Sequence, residues 1–306
     1  MAADPIRTPG IIAAALTPFT ADRHLDVAAL ERQIDYIVDE CHAAAISIGA
    51  VETAEYTMLS LAARKELIRR GVAAVAGRVP AIVGVSHPYL PTALELVELA
   101  EEVGATAIQA LAPLRPWGGP PSTAEVVGYY EELARRTRLP IVVYINPGPG
   151  ADLGIPACVE LSRLDSVRYF KESSRDLRRV GRLIEEIDHA GHARYFTTME
   201  MLLITLMLGG PGATMPPPAV RIGEELCAAY AAGDYAGAAA LQRKFSLFPA
   251  RWIQYGLTPL MKAAMRHVGV DLGEPLPPYQ GLSDADRAAV TAELDRIGLT
   301  RVAATA

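Results

Sequence analysis

Residues 140–171 read PIVVYINPGPGADLGIPACVELSRLDSVRYFK, and the apolar runs at the two ends of this stretch decide the architecture. PIVVYINP from Pro140 and VRYFK from Val167 have the length and the β-branched and aromatic content of buried strands. The residues between them are enough for one helix with its loops, so the strands are predicted to be parallel neighbours. Period-2 alternation puts Val167, Tyr169 and Lys171 on one face.

The same pattern extends in both directions. Apolar runs GIIAAALTPF from Gly10, AAAISIGA from Ala43, PAIVGVS from Pro80 and ATAIQALAP from Ala105 precede the pair, and RYFTT from Arg194 and GATM from Gly212 follow it. Amphipathic stretches such as LSLAARKELIRRGVAAVAG and STAEVVGYYEELARRT separate them, with Ser60 and Ser122 as predicted N-caps. Eight strand–helix units between Gly10 and the region after Met215 predict an α/β fold of the (β/α)8 (TIM) barrel type. A doubly wound sheet is the competing arrangement, but no Gly-x-Gly-x-x-Gly turn follows the first strand. Beyond GATMPPP the pattern stays helical, which gives a barrel over residues 1–225 and a C-terminal helical extension over 226–306, with EPLPPYQGL as a proline-rich connector.

The 306 residues are 51% hydrophobic and 21% charged, enough apolar surface for a large core and too few charges for disorder. A net charge of −6 leaves no basic footprint for nucleic acid, and no cluster of Lys and Arg suits an anionic membrane. Cys41, Cys158 and Cys227 are scattered and odd in number, which fits a reducing compartment better than a disulfide framework. With no signal pattern at the N-terminus and no apolar run approaching the roughly 18 residues of a membrane span, the expectation is a cytoplasmic protein. His189 and His192 fall in DHAGHARY, read as a loop with no third ligand near, so no metal is expected. His87 after the third strand reads as a loop histidine near the barrel mouth.

In a barrel of this kind, side chains at the C-terminal ends of strands face the active site. Tyr144 and Lys171 end the fifth and sixth runs. If the face of Lys171 is inward, desolvation disfavours its ammonium form and the amine can attack a carbonyl. A nearby phenol can then move the protons of carbinolamine formation and breakdown. The competing reading is a strand-end lysine that snorkels to solvent and a tyrosine packed with its hydroxyl wet.

Seven segments in order, ALTPFTADRHLD, ETAEYTMLS, GATAIQALAP, PIVVYINP, YFKESS, LGGPGATM and TPLMKAAMRHVG, make the chain resemble the dihydrodipicolinate synthase/N-acetylneuraminate lyase family from end to end. The resemblance implies a (β/α)8 barrel with C-terminal helices, no cofactor, and class I aldolase chemistry on pyruvate or another 2-oxo acid. It also implies that Lys171 is the Schiff-base lysine and Tyr144 the proton-relaying tyrosine, in a homo-oligomer, commonly a tetramer. A threonine hydroxyl and backbone N–H groups would hold the substrate carboxylate.

Departures from the family pattern bear on the reaction. VETAE stands where Gly-Thr-Thr-Gly-Glu is common, so Thr53 and Glu55 are kept while Glu52 replaces a threonine. Glu52 is either a carboxylate facing the pocket or one turned outward and solvated. Leu114 and Arg115 stand where synthases place a tyrosine pair, one ring of which completes the relay across a subunit boundary. Arg115 is either a clamp for a distal substrate carboxylate or a solvated loop arginine, and Trp117 either walls the pocket or covers a loop. INPGPGADLG lacks the arginine that helps synthases to bind their dicarboxylate aldehyde. Thr198 and Thr214, at the ends of the seventh and eighth runs, are expected to shape substrate choice. The expected function is a Schiff-base lyase, an aldolase or dehydratase other than dihydrodipicolinate synthase itself. An idle ligand-binding homologue and a hydratase-aldolase for an aromatic 2-oxo acid, its ring against Val51, Leu114 and Trp117, are the alternatives.

Overall fold

The computed structural model describes residues 4–116, 119–248 and 252–300. Among them the apolar runs form β1 (Gly10–Ala14), β2 (Ala45–Ile48), β3 (Ala81–Gly84), β4 (Ala107–Leu111), β5 (Ile141–Ile145), β6 (Val167–Glu172), β7 (Arg194–Thr198) and β8 (Gly212–Met215). All pair in parallel in sequence order, and β8 closes on β1, so the sheet is a (β/α)8 barrel with no open edge. The helices between are α1 (Val27–Asp35), α2 (Leu61–Val75), α3 (Leu90–Glu102), α4 (Thr123–Ala134), α5 (Ile155–Ser162), α6 (Leu177–Leu183), α7 (Leu202–Met207) and α8 (Pro217–Ala231). Ser60 and Ser122 cap α2 and α4 as predicted, accepting from the N–H groups of Ala63 and Glu125, and Glu125 completes a capping box.

Strand residues alternate between two apolar layers. Ile12, Ala45, Ile82, Ala107, Val142, Tyr169 and Phe196 fill the barrel interior. Ile11, Ile46, Val83, Ile108, Val143 and Phe170 pack outward against the helices. The predicted common face of Val167, Tyr169 and Lys171 holds only for the last two. Val142 pairs with Tyr169 while Ile141 pairs with Val167, so Arg168 is an extra residue, and this bulge turns Val167 outward. The interior is closed from below by the N-terminal segment. Ile6 joins the interior cluster, and Asp4 accepts a hydrogen bond of 2.7 Å from the Tyr169 hydroxyl.

α8 spans Pro217–Ala231, and its buried residues run from Pro217 to Cys227. The C-terminal region continues as α9 (Tyr235–Phe245), α10 (Trp252–Tyr255), α11 (Leu257–His267) and α12 (Asp284–Arg296). α11 packs on the turn that follows β2. Among the described residues no helix is long and apolar enough to cross a membrane.

Candidate active site

The end of β2 is held by backbone contacts before any chemistry is considered. A Cβ on Gly84 would lie 2.2 Å from the Ala50 Cα and from the Gly49 carbonyl oxygen, so only glycine lets β3 pass this close. Arg64 of α2 is buried and donates to the carbonyls of Ser86 at 2.7 Å and Gly84 at 2.9 Å. The chain then makes a tight helical turn over Glu52–Ala54, ended by Glu55 in the left-handed region at φ 50°. Thr17 donates to the Ala54 carbonyl at 2.5 Å. Glu55 is buried against Lys262 of α11 at 2.9 Å and accepts from the Leu276 N–H at 2.9 Å, which ties the turn to the C-terminal region.

This anchored turn aims Glu52 into the barrel mouth. The Tyr144 hydroxyl donates to Glu52 Oε2 at 2.8 Å, and Asn146 Nδ2 donates to the phenol oxygen at 2.7 Å and to Glu52 Oε1 at 3.4 Å. Tyr144 is level with Lys171 across the β5–β6 pairing. Lys171 Nζ lies 3.9 Å from the centroid of the Tyr144 ring and donates to Ser173 Oγ at 2.5 Å. The next residue along β6, Glu172, points outward and is buried between Arg179, at 2.5 Å, and the Tyr195 hydroxyl, at 2.7 Å. Strand alternation thus sends one side chain to the helix layer as a paired anion and its neighbour to the mouth as an amine.

Two opposing effects set the charge on that amine. Burial takes the ammonium out of water, while the Glu52 carboxylate favours keeping the proton and Arg175 opposes it. Desolvation wins, and the Lys171 pKa falls to about 8. The phenol of Tyr144 moves the other way, well above its ordinary value, through burial first and the charge of Glu52 second.

Around Lys171 lies a cavity of about 190 Å³ whose walls include Val51, Glu52, Thr53, Tyr144, Asn146, Ser173, Arg175, Thr198, Thr214 and Leu257. The structure therefore brings together Lys171, Tyr144, Glu52, Thr53, Thr198 and Thr214. Among the described residues Thr214 Oγ1 is buried with no hydrogen-bond partner, and the Thr53 hydroxyl makes only a long contact of 3.5 Å to the Ala14 carbonyl. Both have capacity left for a substrate oxygen. At the rim, Arg175 pairs with Glu200 at 3.0 Å, and Thr198 donates to the same carboxylate at 3.1 Å.

Arg115 is not among the walls. It bonds Glu125 at 2.7 Å beside the capping box of α4 and, with Ser122, holds that carboxyl down at about 2. The cavity's guanidinium is Arg175, which no strand periodicity marks because it lies in the loop after β6. Asn146 and Ser173, outside the predicted site residues, also line the cavity, and each lies two residues beyond one of them, Tyr144 and Lys171, and so shares its face. Of the apolar residues read as a ring-binding wall, Val51 lines the cavity, Leu114 is exposed, and Trp117 lies outside the described residues. His189 ends a helical turn over Ile184–His189 and pairs with Glu185 at 2.9 Å, instead of lying in a loop. His87 sits in the loop after β3 and accepts from the Tyr89 N–H at 3.0 Å. A larger groove of about 650 Å³ lies between Phe19–Arg23 and the connector Gly273–Gly281, but it offers only Arg23 and Glu274 as charged groups.

Residues 7–297 match the model of the dihydrodipicolinate synthetase family. The chain belongs to that family. It is 29% identical over 294 residues to a 4-hydroxy-tetrahydrodipicolinate synthase of Moorella thermoacetica, covering 94% of this chain and 98% of that one. A putative dihydrodipicolinate synthetase from Pseudomonas aeruginosa has the same fold at a TM-score of 0.86, with 28% identity over 94% of this chain and 99% of that chain. A prophage protein of the dihydrodipicolinic acid synthase family from E. coli K12, solved in complex with pyruvate, superposes at a TM-score of 0.88 with 24% identity, covering 95% of this chain and 98% of that chain. At that identity the likeness concerns the fold alone.

Proposed function

We propose that this family member is a lyase in which Lys171 forms a Schiff base with pyruvate or another 2-oxo acid. The observation that carries the reading is a buried amine, held near a pKa of 8, against the ring of a buried tyrosine at the mouth of the barrel. Its neutral form attacks C2 of the 2-oxo acid, and loss of water gives an iminium. That cation withdraws electrons from C3, so a carbanion there is held as an enamine. Aldol cleavage or formation of the C3–C4 bond, and loss of a hydroxyl from C4, all pass through this species. The Thr53 and Thr214 hydroxyls are suited to the substrate carboxylate, and Arg175 with Thr198 to a distal carboxylate or hydroxyl.

The reaction we favour is not that of dihydrodipicolinate synthase. Glu52 stands beside Tyr144 where a threonine is common in the family, and no arginine follows Tyr144 before the helix of residues 155–162. We take the protein to be a homo-oligomer, as the family resemblance implies, and Tyr89 and Leu114 are exposed apolar side chains available to such a contact. The test is borohydride reduction with a panel of 2-oxo acids. The expected result is one covalent adduct, located by peptide mass spectrometry on Lys171 and absent from Lys171→Ala. Failure of every 2-oxo acid to leave an adduct on the folded protein overturns the reading.

A further inference from the structure

Resting on the Schiff-base reading, we infer that Glu52 is the outer proton station of Tyr144, so that one chain contains the whole relay. The geometry has three parts. The Tyr144 hydroxyl already donates to Glu52 Oε2 at 2.8 Å, so its proton lies along an existing hydrogen bond to the carboxylate. Asn146 donates to the phenol oxygen at 2.7 Å and to the other carboxylate oxygen at 3.4 Å, which ties the two groups to each other. Glu52 is only partly buried and also lines a second cavity of about 360 Å³ beside α11, with Tyr56, Tyr255 and Leu257, so its carboxylate faces the reacting amine on one side and another cavity on the other.

The proton balance follows from these bonds. Attack of the Lys171 amine on C2 leaves an alkoxide on C2, which takes a proton from solvent to become the carbinolamine hydroxyl, and a proton to be removed from nitrogen. Burial and the adjacent carboxylate hold Tyr144 neutral, so its oxygen accepts that proton only as its own leaves. The N–H bond breaks and a phenol O–H forms, while the original phenol O–H breaks and a carboxyl O–H forms on Glu52. Dehydration of the carbinolamine runs the chain backwards. The proton returns from Glu52 through Tyr144 to the C2 hydroxyl, which departs as water and leaves the iminium and a regenerated carboxylate. The neutral amine, the ketone and that one solvent proton give the iminium and water, and Tyr144 and Glu52 end as they began. In the interval Glu52 is neutral, which also removes its repulsion of the substrate carboxylate. Glu52 therefore acts through Tyr144 and need not touch the reacting carbon.

A glutamine in place of Glu52 separates this role from a structural one, because the two consequences of the change have opposite sign. Loss of the anion that favours the Lys171 ammonium moves the pH midpoint of adduct formation downward, so more amine is neutral at pH 7. The relay reading nevertheless requires slower adduct formation, by about 100-fold or more, the scale of a lost acid–base group. The measurement is the rate of borohydride-trapped adduct with pyruvate from pH 6 to 10, on the full chain, for the unmodified protein, Glu52→Gln and Glu52→Asp. Glu52→Asp keeps the charge but withdraws it from the phenol. Its midpoint is expected to stay while its rate falls, and this arm carries the test if the glutamine variant does not fold. A Glu52→Gln protein as fast as the unmodified one at pH 7, or a Glu52→Asp protein at full rate, overturns the relay and leaves the Schiff-base reading standing. Absence of any adduct in the unmodified protein overturns both.

Discussion

The molecule buries two lysines, one at the barrel mouth and one at the seam with the C-terminal helices, and treats them oppositely. Lys262 lies 4.4 Å from the Phe19 ring centroid, as Lys171 lies over Tyr144, and burial lowers the pKa of both. The difference is in the anion. Lys262 is paired with the Glu55 carboxylate at 2.9 Å and donates to the Glu274 carbonyl at 3.0 Å. Lys171 has a serine hydroxyl as its hydrogen-bond partner, and Glu52, the carboxylate that most favours its charged form, is engaged by Tyr144 and Asn146. A buried amine with its own carboxylate is a strut. One whose neighbouring carboxylate is held by other donors suits the nucleophilic role proposed for Lys171.

Lys262→Met is expected to have the largest effect on folding. It leaves Glu55 as a buried carboxylate without its cation, which costs about 3–5 kcal/mol in denaturant unfolding. Lys262→Met with Glu55→Gln should recover most of that loss, because the two sites form one pair. If the single variant is as stable as the parent, the seam is not an ion-pair strut and the comparison fails.

Lys171→Met should move stability the other way. Displacement of the Lys171 pKa from its ordinary value to about 8 opposes folding by roughly 3 kcal/mol in full. The sign follows from proton counts. Between about pH 8 and the unfolded lysine pKa, the unfolded chain binds more protons than the folded one, so this group makes stability rise with pH in that window. Below the window the penalty is complete. Lys171→Met should therefore unfold later than the parent at pH 7, with the gain shrinking as pH approaches 10, while adduct formation in the parent rises with pH to a midpoint near 8. A variant destabilised at pH 7 would place Lys171 among the struts.

The smallest effect sharpens the contrast between two arginines. Arg175 lines the cavity and Arg115 does not, so Arg175→Ala should raise KM for an extended 2-oxo acid about tenfold, the value of one charged hydrogen bond. Arg115→Ala should leave KM unchanged. Equal losses from both would return Arg115 to the substrate.

Much of this was legible in the chain. The eight apolar runs, Ser60 and Ser122 as caps, and the pairing of Tyr144 with Lys171 follow from local pattern and strand spacing. The bulge at Arg168 was not legible, since an extra residue in one strand appears only when its neighbour is laid beside it. The two arginines were not legible either. Both lie in loops, where no period fixes direction, and Arg115 was settled by Glu125, a partner on the following helix.

By itself, then, the sequence determined that this is a parallel barrel with Lys171 and Tyr144 at adjacent strand ends, because hydrophobic period and chain length constrain those features locally. Whether the amine would be buried without a carboxylate of its own was decided only in three dimensions. The answer depends on how deeply Nζ is buried and on which donors already occupy Glu52, and those quantities exist only once β2, β5 and β6 have closed around one another.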